Sequence, residues 1–398
     1  MSDSAASEKR PAALMLSPEA PYPPHGGGSL RTASLLSYLA RRYAVDLIVF
    51  REPQAAHPLA ALPPELVRNI HVVELRRHAK TTAARAIRNC ARLLRRVPPL
   101  VDRFSGFEAQ VAAATKGQRY QVAVAEHFWC APYIDQLAAV SAKTVLDLHN
   151  IESVLHAGCA ATEPRLAALG HRHFYTACRA LETALFPRYS QILAASAEDA
   201  RRVREISPGA NVSIYPNALP WCPLPARPPE LVIAFSGNLE YHPNQTAVRF
   251  FAAEIWPAVR ERWPGLIWRL IGKNPDAVRR YTQSDARIQL TGPISDAISE
   301  LAAASVVVAP LLTGSGTRLK ILEAWAAARP VVSTRIGAEG LPAKHGENIL
   351  LADTAAEFAQ AVSELLENPE MRERLGNAAR LEFERNFTWE AAWGALQL

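Results

Sequence analysis

A short apolar run that passes through a glycine-rich turn into a helical pattern is the feature that most constrains how this chain folds. Residues 305–309 read Ser-Val-Val-Val-Ala, which is typical of a strand buried on both faces of a parallel sheet. Glycines follow at 314 and 316, and Leu319 and Leu322 then recur at helical spacing. In open α/β sheets ligands bind at the carboxyl ends of strands, where a helix start offers unpaired N–H groups and a positive dipole end. The pattern therefore predicts an anion-binding turn.

Three charged residues occupy the start of that helix. Arg318 and Lys320 are cations in the first turn, where the helix dipole disfavours them unless an anion offsets the charge. Both are expected to be exposed. Glu323 lies one turn after Lys320 and on the same side of the helix. Two interpretations stay open at this point, an anion site and a solvated turn with a Lys320–Glu323 ion pair.

Apolar runs of strand length alternate with helical patterns along the whole chain, which predicts the α/β fold class with two doubly wound parallel sheets. Between residues 216 and 229 six of fourteen residues are proline, so that segment is predicted to link the two domains. The predicted strands cover residues 12–16, 45–50, 121–125, 144–148, 191–195 and 212–215, and then 231–235, 266–271, 288–290, 305–309, 330–333 and 349–351. Helices are predicted from about 29 to 42 and 164 to 189, with further starts near 243, 276, 295, 317 and 354 and a tail of two helices over 369–384 and 388–398.

Length and composition limit the classes of function. A chain of 398 residues with 49% apolar residues is long enough for two or three domains. The formal charge of +6 favours an anionic partner such as nucleic acid, acidic lipid or a phosphorylated substrate.

The chain has five cysteines, which are Cys90, Cys130, Cys159, Cys178 and Cys222. Their odd number and the lack of Cys-x-x-Cys spacing indicate neither a disulfide framework nor a zinc site and favour a reducing cytoplasm. Neither a signal peptide nor an apolar run of roughly 18 residues is recognised, so the protein is expected to be soluble or peripheral to a membrane.

A basic segment lies between residues 76 and 103, where nine Lys or Arg residues accompany one acid, Asp102. On a helical projection five arginines share one face, beside an apolar face: Arg85, Arg88, Arg92, Arg95 and Arg96. The segment predicts an amphipathic basic helix that binds an anionic membrane surface through those arginines, or a solvated surface helix.

Two further positions follow predicted strands. Gly26, Gly27 and Gly28 precede the first helix, where they form either a close-approach loop or a flexible turn. His149 comes just after the strand at 144–148 and is either a structural residue or part of an active site.

Four segments, in order along nearly the whole chain, resemble glycosyltransferase family 4. They are Pro21-Tyr-Pro-Pro-His-Gly-Gly-Gly-Ser-Leu-Arg31, Asp147-Leu-His-Asn-Ile-Glu-Ser153, Phe235-Ser-Gly-Asn-Leu-Glu-Tyr-His-Pro-Asn244, and Gly314-Ser-Gly-Thr-Arg-Leu-Lys-Ile-Leu-Glu323 with the Arg329-Pro-Val-Val-Ser-Thr that follows. The last segment is similar to a subgroup whose motif reads Gly-Thr-Arg-Leu-Lys.

The resemblance implies the GT-B fold, in which two Rossmann-like domains face a central cleft. It implies a disordered N-terminus (1–10), an acceptor-binding domain (11–217), a Pro-rich linker (218–229), a nucleotide-sugar-binding domain (230–384) and a C-terminal helix that packs back on the first domain (385–398). It implies catalytic roles for His149, Arg318 and Lys320, and donor binding by Gly27, Gly28, Gly237, Asn238, Gly316, Thr317 and Glu323, with Glu323 on the ribose.

The implied reaction is retaining transfer of a sugar from a nucleotide-diphosphate sugar to a glycan or lipid-linked acceptor in cell-surface or exopolysaccharide assembly. No bound metal or resident cofactor is implied, nor a nucleic-acid partner, and the implied location is the cytoplasm or the inner face of the cell membrane. Ser315 stands where many members carry a glutamate that contacts the donor sugar, so the identity of the sugar is left open. Asn238 and Asn244 occupy the positions of a basic pair in the family, and Arg318 and Lys320 are expected to compensate for it. The alternatives are a GT-B sugar-nucleotide epimerase, a basic nucleic-acid-binding protein and a noncatalytic nucleotide-binding subunit.

Overall fold

Two compact units make up the chain. A computed structural model describes residues 10–24, 26–79, 81–162, 165–313 and 318–398. The amino-terminal unit runs as far as Tyr215 and also includes Leu396–Leu398, and the carboxyl-terminal unit spans Pro216–Ala395.

The amino-terminal unit is built on a parallel sheet. Within the described ranges the sheet has seven strands in the order β3-β2-β1-β4-β5-β6-β7. Every neighbouring pair is parallel. The strands are β1 (Ala12–Ser17), β2 (Ala44–Arg51), β3 (Asn69–Glu74), β4 (Tyr120–Glu126), β5 (Ser141–Asp147), β6 (Gln191–Ala194) and β7 (Val212–Ile214).

Eight α-helices connect these strands in the part of the unit that is described. They are α1 (Gly27–Arg42), α2 (Thr82–Arg95), α3 (Pro99–Phe104), α4 (Glu108–Ala114), α5 (Ile134–Val140), α6 (Glu152–Thr162), α7 (Arg165–Leu185) and α8 (Ala197–Ile206). The core contains an aromatic group in which Phe50 of β2 contacts Phe104, Phe107 and Tyr133.

The carboxyl-terminal unit repeats this design. Its described residues form a six-stranded sheet in the order β10-β9-β8-β11-β12-β13, again with parallel neighbours. The strands are β8 (Glu230–Ser236), β9 (Ile267–Ile271), β10 (Ile288–Gly292), β11 (Ala304–Ala309), β12 (Val331–Ser333) and β13 (Leu350–Leu351). All six residues of β11 are buried, as expected for a strand covered on both faces.

Helices again cover the carboxyl-terminal sheet. They are α9 (His242–Phe250), α10 (Trp256–Arg262), α11 (Arg279–Thr282), α12 (Ala297–Ala302), α13 (Leu319–Ala326), α14 (Ala355–Glu367), α15 (Pro369–Asn386) and α16 (Trp389–Trp393), with a π-helical turn at Phe251–Ile255. Trp268 of β9 contacts Phe251 and Trp256 in the core.

The predicted fold class, α/β with two doubly wound parallel sheets, is confirmed. Each predicted strand is present, but β3 was not predicted. Five of its six residues are partly or wholly exposed at the edge of the sheet, so it lacks the continuous buried apolar run that marks the inner strands. The last predicted helix is wrong in its extent, because α16 ends at Trp393 instead of reaching residue 398.

The last three residues belong to the amino-terminal unit. The hydroxyls of Tyr38 and Tyr43 donate to the carbonyl oxygens of Leu396 and Leu398, at 2.9 and 2.8 Å. Within the described residues, none of the helices is both long and apolar enough to cross a membrane.

Candidate functional site

Five polar residues meet at the carboxyl ends of the central strands of the amino-terminal unit, and we call them the histidine cluster: Arg31, Glu126, His127, Asp147 and His149. Glu126 is the last residue of β4 and Asp147 the last of β5, and the two are direct neighbours in the register of the parallel pair. Arg31 lies in α1, the helix that follows β1. Sheet topology therefore brings these side chains together.

Arg31 and Asp147 form a buried ion pair in this cluster. Arg31 donates from Nε and Nη2 to both carboxylate oxygens of Asp147, at 2.8 and 2.5 Å, and from Nη1 to the carbonyl oxygen of Tyr215 at 2.6 Å. Its guanidinium also stacks over the Tyr215 ring. Burial disfavours ionisation of Asp147, but the Arg31 charge outweighs it, so the pKa of Asp147 lies below its usual range. The pair holds α1 against the end of β5.

His149 is held between two carboxylates. Its Nε2 lies 2.7 Å from Glu126 Oε2 and 3.4 Å from Asp147 Oδ2. Burial disfavours the imidazolium, yet the hydrogen bonds to Asp147 and Glu126 outweigh it and raise the pKa of His149. A protonated ring leaves Nδ1–H as a donor on the side away from the carboxylates. The geometry suits His149 to donating a hydrogen bond to a ligand and not to accepting a proton from one.

His127 has a different environment in the same cluster. Its backbone is left-handed, with φ of +61°, a conformation that non-glycine residues rarely adopt. The ring stacks on His149 and Trp129, with centroids 3.4 and 4.2 Å away. Burial and the neighbouring His149 charge lower the pKa of His127 well below its usual value. It is only 6% exposed, and its buried Nε2 has no hydrogen-bond partner in the part of the chain that the structure describes.

Gly28, in the first turn of α1, leaves open the space that this cluster faces. A Cβ at this position would lie 2.9 Å from Glu19 Oε1, 3.5 Å from His127 Nε2 and 3.8 Å from His149 Nδ1. The φ of Gly28 is in the range open to any residue, so the lack of a side chain matters here for space. Three polar atoms thus converge on one point beside the helix start at Gly27.

The same cluster has the composition of a metal site. Ligand atoms of Glu126, Asp147 and His149 lie within 4.8 Å of one another. However, Arg31 already contacts both oxygens of Asp147, and Thr32 Oγ1 donates to Glu126 Oε2 at 3.1 Å. A metal ion would have to displace these donors from the carboxylate oxygens, so the arrangement suits hydrogen bonding to a protonated His149 better than a metal ion.

A second cluster lies at the carboxyl end of β8 in the other unit, and we call it the lysine site: Phe235, Gly237, Asn244, Lys320 and Glu323. Lys320 of α13 donates from Nζ to Asn244 Oδ1 at 2.6 Å and stands 4.4 Å from the centre of the Phe235 ring. Glu323 accepts a 2.9 Å hydrogen bond from Ser236 Oγ. The two charged residues therefore each have another partner, which differs from the simple helix ion pair considered above.

The two charged side chains of the lysine site, Lys320 and Glu323, are poorly solvated. Burial, which Glu323 only partly offsets, lowers the pKa of Lys320 to about 7. Burial raises the pKa of Glu323, opposed by the hydrogen bond from Ser236. Near neutral pH the ammonium is thus easily lost, and an anionic ligand beside it would favour the charged form.

Two glycines shape the loop that borders Lys320. Gly237 has φ of +143°, and a Cβ there would lie 2.8 Å from Asn244 Nδ2 and 3.3 Å from Lys320 Nζ. Gly272, after β9, has φ of +144°, and its Cβ would lie 1.9 Å from the carbonyl oxygen of Gly237. Both positions require glycine, and the loop after β8 presents backbone instead of side chain next to the lysine.

The expected exposure of Arg318 is wrong. Arg318 is 7% exposed because the turn after β12 covers it. Its Nη2 donates to the carbonyl oxygen of Ile336 at 3.2 Å and lies 3.9 Å from the Glu339 carboxylate.

The side chain of Asn238 stabilises the loop after β8, because its Oδ1 accepts hydrogen bonds from Glu240 N and Asn274 Nδ2. Ser315, Gly316 and Thr317 lie outside the described residues.

The expectation that the arginines share a free face of α2 is wrong for Arg92, which is buried, whereas Arg95 and Arg96 are exposed. Arg92 is 9% exposed and donates to Asp102 at 2.9 Å, Arg95 donates to the same carboxylate at 2.8 Å, and Arg88 donates to the carbonyl oxygen of Ala79. Ile87 and Leu94 are instead 70% and 86% exposed. Asp102, the one acid of the segment, draws the arginine side of the helix towards α3. The side chain of Arg85 lies outside what the structure describes.

Comparisons with known proteins bear on the carboxyl-terminal unit. Residues 230–368 match the family Glycosyl transferases group 1. This group 1 segment contains β8 to β13 and every residue of the lysine site. A D-inositol 3-phosphate glycosyltransferase of Corynebacterium glutamicum (strain R) is 30% identical over 216 residues, which cover 48% of this chain and 50% of that protein. The chain spans about half the length of such curated relatives.

Solved structures similar to this one cover both units. A sucrose-phosphate synthase from Thermosynechococcus elongatus is 17% identical, with a TM-score of 0.72 and 96% of each chain covered. Anabaena HepE, in complex with UDP and glucose, is 15% identical with a TM-score of 0.66, covering 96% of this chain and 97% of that one. At these identities the likeness shows the fold alone, that of two α/β units with parallel sheets.

Sequence reasoning missed most of the histidine cluster. Glu126 ends β4 and His127 follows it, just as Asp147 ends β5 and His149 follows two residues later, so a carboxylate and a histidine at the end of a buried strand were the available signal. Arg31 stands in the glycine-loop motif, but nothing local predicts that it is buried against a residue 116 positions away.

Proposed function

We propose that this protein is a glycosyltransferase that moves a sugar from a nucleotide-diphosphate sugar to an acceptor. The observation that carries the proposal is the position of Lys320, at the carboxyl end of β8 beside the glycine backbone of Gly237 and inside the group 1 segment. A cation and bare backbone at a strand end suit a diphosphate. HepE, which shares the fold, is seen with UDP and glucose, which supports a nucleotide as the ligand.

Donor binding is assigned to the carboxyl-terminal unit. Charge builds on the leaving diphosphate as the sugar–phosphate bond breaks, so fixed cations there lower the barrier more than they stabilise the bound donor. Lys320 and Arg318 supply the charge, with the amides of Gly316 and Thr317 as further donors. Gly237 and Asn238 approach the phosphates through backbone.

Glu323 is assigned to the ribose. Its carboxylate lies one turn beyond Lys320 and keeps the hydrogen bond from Ser236, which fixes the direction of the side chain. A carboxylate accepts hydrogen bonds from vicinal hydroxyls well, and such charge-assisted bonds are stronger than neutral ones. The identity of the sugar on the donor is left open, because Ser315 stands where a glutamate that contacts the sugar is expected.

We assign recognition of the transferred sugar and of the acceptor to the amino-terminal unit. The Nδ1–H of His149, the unpartnered Nε2 of His127 and the space left by Gly28 suit the recognition of sugar hydroxyls. Gly27 and Gly28 also place helix N–H groups where the donor can approach. A glycan or a lipid-linked molecule of cell-surface or exopolysaccharide assembly is the acceptor that we propose.

Transfer proceeds with retention of anomeric configuration and without a metal in this proposal. The acceptor oxygen bonds to the anomeric carbon on the face from which the phosphate leaves, and its proton passes to the departing phosphate oxygen. Lys320 and Arg318 neutralise the charge that develops there, so the route needs no metal ion at the phosphates. We place the protein in the cytoplasm, at the inner face of the cell membrane.

A thermal-shift screen tests donor binding directly. Nucleoside diphosphates and sugar nucleotides should raise the melting temperature, since a ligand that binds only the folded state adds RT ln(1 + [L]/Kd) to its stability. Glu323→Gln should weaken UDP binding, measured by calorimetry, roughly tenfold or more. Glu347→Gln, at an exposed residue paired with Lys344, is the matched control and should bind UDP normally.

Incubation with the stabilising sugar nucleotide then separates the alternatives. Transfer of the sugar to an added acceptor supports the proposal, whereas an isomerised sugar nucleotide without transfer identifies an epimerase. Unchanged UDP affinity in Glu323→Gln would remove the ribose assignment. Salt-dependent binding of duplex or single-stranded nucleic acid, with no response to any nucleotide sugar, would favour the nucleic-acid alternative.

A further inference from the structure

Helix α2 presents an apolar stripe to solvent. Ala83, Ala86, Ile87, Cys90 and Leu94 follow one another at helical spacing, and all five are exposed. On the opposite side Arg92 is buried against Asp102. The amphipathic order is therefore inverted relative to an ordinary surface helix, which turns its apolar side to the core.

The sequence around the stripe carries only positive charges. Residues 75–101 contain no Asp or Glu, and Asp102 is already engaged by Arg92 and Arg95. Arg95, 57% exposed, and Arg96 stand beside Leu94 at the end of the helix, and Arg76 and Arg77 are exposed before it. The surface thus combines projecting apolar side chains with a rim of cations.

We propose that α2 binds an anionic lipid surface by inserting Ile87, Cys90 and Leu94 at the headgroup boundary, with the exposed Arg77 and Arg96 beyond its two ends on lipid phosphates. Apolar side chains flanked by basic residues are what interfacial helices use to lie in the plane of a membrane. The helix of 14 residues is about 21 Å long, which suits such a flat contact.

A second copy of the chain fits this surface less well. Pairing two such stripes would bring like-charged arginine rims together, and one helix stripe is small beside the roughly 1,000 Å² that a stable protein interface buries. The lipid surface agrees with both the charge and the size of the patch. This inference does not depend on the proposed transferase activity.

Vesicle flotation tests the proposal with the full chain. The protein should float with vesicles of equimolar phosphatidylglycerol and phosphatidylcholine and remain behind with phosphatidylcholine alone. Binding should weaken at about 1 M salt, where the Debye length is about 3 Å, without disappearing. An environment-sensitive dye on Cys90, the exposed cysteine among the five, should shift to the blue on anionic vesicles.

Variants separate insertion from simple charge attraction. The double change Ile87→Ser with Leu94→Ser should weaken vesicle binding roughly a hundredfold, about tenfold for each side chain, and abolish the dye shift. Leu169→Ser removes a leucine of the same unit that is 59% exposed and should bind like the wild type. Unchanged thermal melting of both variants confirms that they fold.

Three results would overturn the proposal. Absence of binding to anionic vesicles at low salt removes the lipid partner. Binding that survives the double change and shows no dye shift means that the arginines act alone, without insertion. A concentration-dependent dimer in sedimentation, lost in the double variant, assigns the stripe to a second copy. None of these assays uses a sugar donor, so they fail or succeed independently of the transferase activity.

Discussion

Replacement of Lys320 by alanine is expected to lower turnover of the proposed transfer roughly 30- to 1,000-fold, as for loss of one charge contact worth about 2–4 kcal/mol in the transition state. The free energy of unfolding should change by under about 1 kcal/mol, because among the described residues the half-buried ammonium has a neutral amide and an aromatic ring as its direct partners. Steady-state kinetics and urea unfolding measure the two effects.

Two comparisons sharpen this result. Lys344→Ala, at an exposed lysine of the same unit, should leave turnover unchanged. Arg318→Ala should reduce turnover as well but should also destabilise the fold by about 1–3 kcal/mol, because Arg318 is buried and hydrogen-bonded to Ile336. Near-normal turnover in Lys320→Ala would reject the phosphate assignment.

The pH dependence of UDP binding provides an independent check on Lys320. Its pKa of about 7 means that the free protein carries the ammonium below pH 7 and loses it above. A bound diphosphate raises that pKa, so affinity should fall as pH rises above 7, by at most about tenfold per unit, and binding should take up a proton. In Lys320→Arg the charge persists, so the fall over this range should vanish.

Asp147→Asn is expected to destabilise the amino-terminal unit by about 3–5 kcal/mol, because it leaves Arg31 buried without its carboxylate. Hydrogen exchange read on peptides from β4 and β5 measures this unit separately from the other. Asp135→Asn, which breaks an exposed pair with Arg188, should change stability by under about 1 kcal/mol. A loss in Asp147→Asn no larger than this control would show that Arg31 finds another partner, such as Glu126.

The inner strands and most helices were predictable from sequence because their signals are local. A continuous apolar run such as that of β11 allows few alternatives, whereas the half-exposed β3 carries no such run. The family resemblance implied a shared role for Gly237, Lys320 and Glu323, and parallel topology explains why they lie close together, since it places the end of β8 beside the helix that follows β11.

Burial of charged side chains was harder to predict, since it depends on segments distant along the chain. Arg318 is covered by residues 18 positions later, and Arg31 by a strand end 116 positions later. Asp102, which fixes the orientation of α2 through Arg92, lies beyond the helix, where the helical periodicity carries no information about it. Helical spacing predicts which side chains share a face of a helix, but not which face packs against the rest of the protein.

The contact between Gly272 and the carbonyl oxygen of Gly237 has a consequence for how this chain tolerates sequence change. The shape of the loop after β8 is set by backbone meeting backbone, so no side-chain substitution at a third position can restore it once either glycine is replaced. The two glycines, 35 positions apart, are therefore expected to be kept or replaced together. A distant homologue that lacks only one of them would need a different backbone arrangement in this loop.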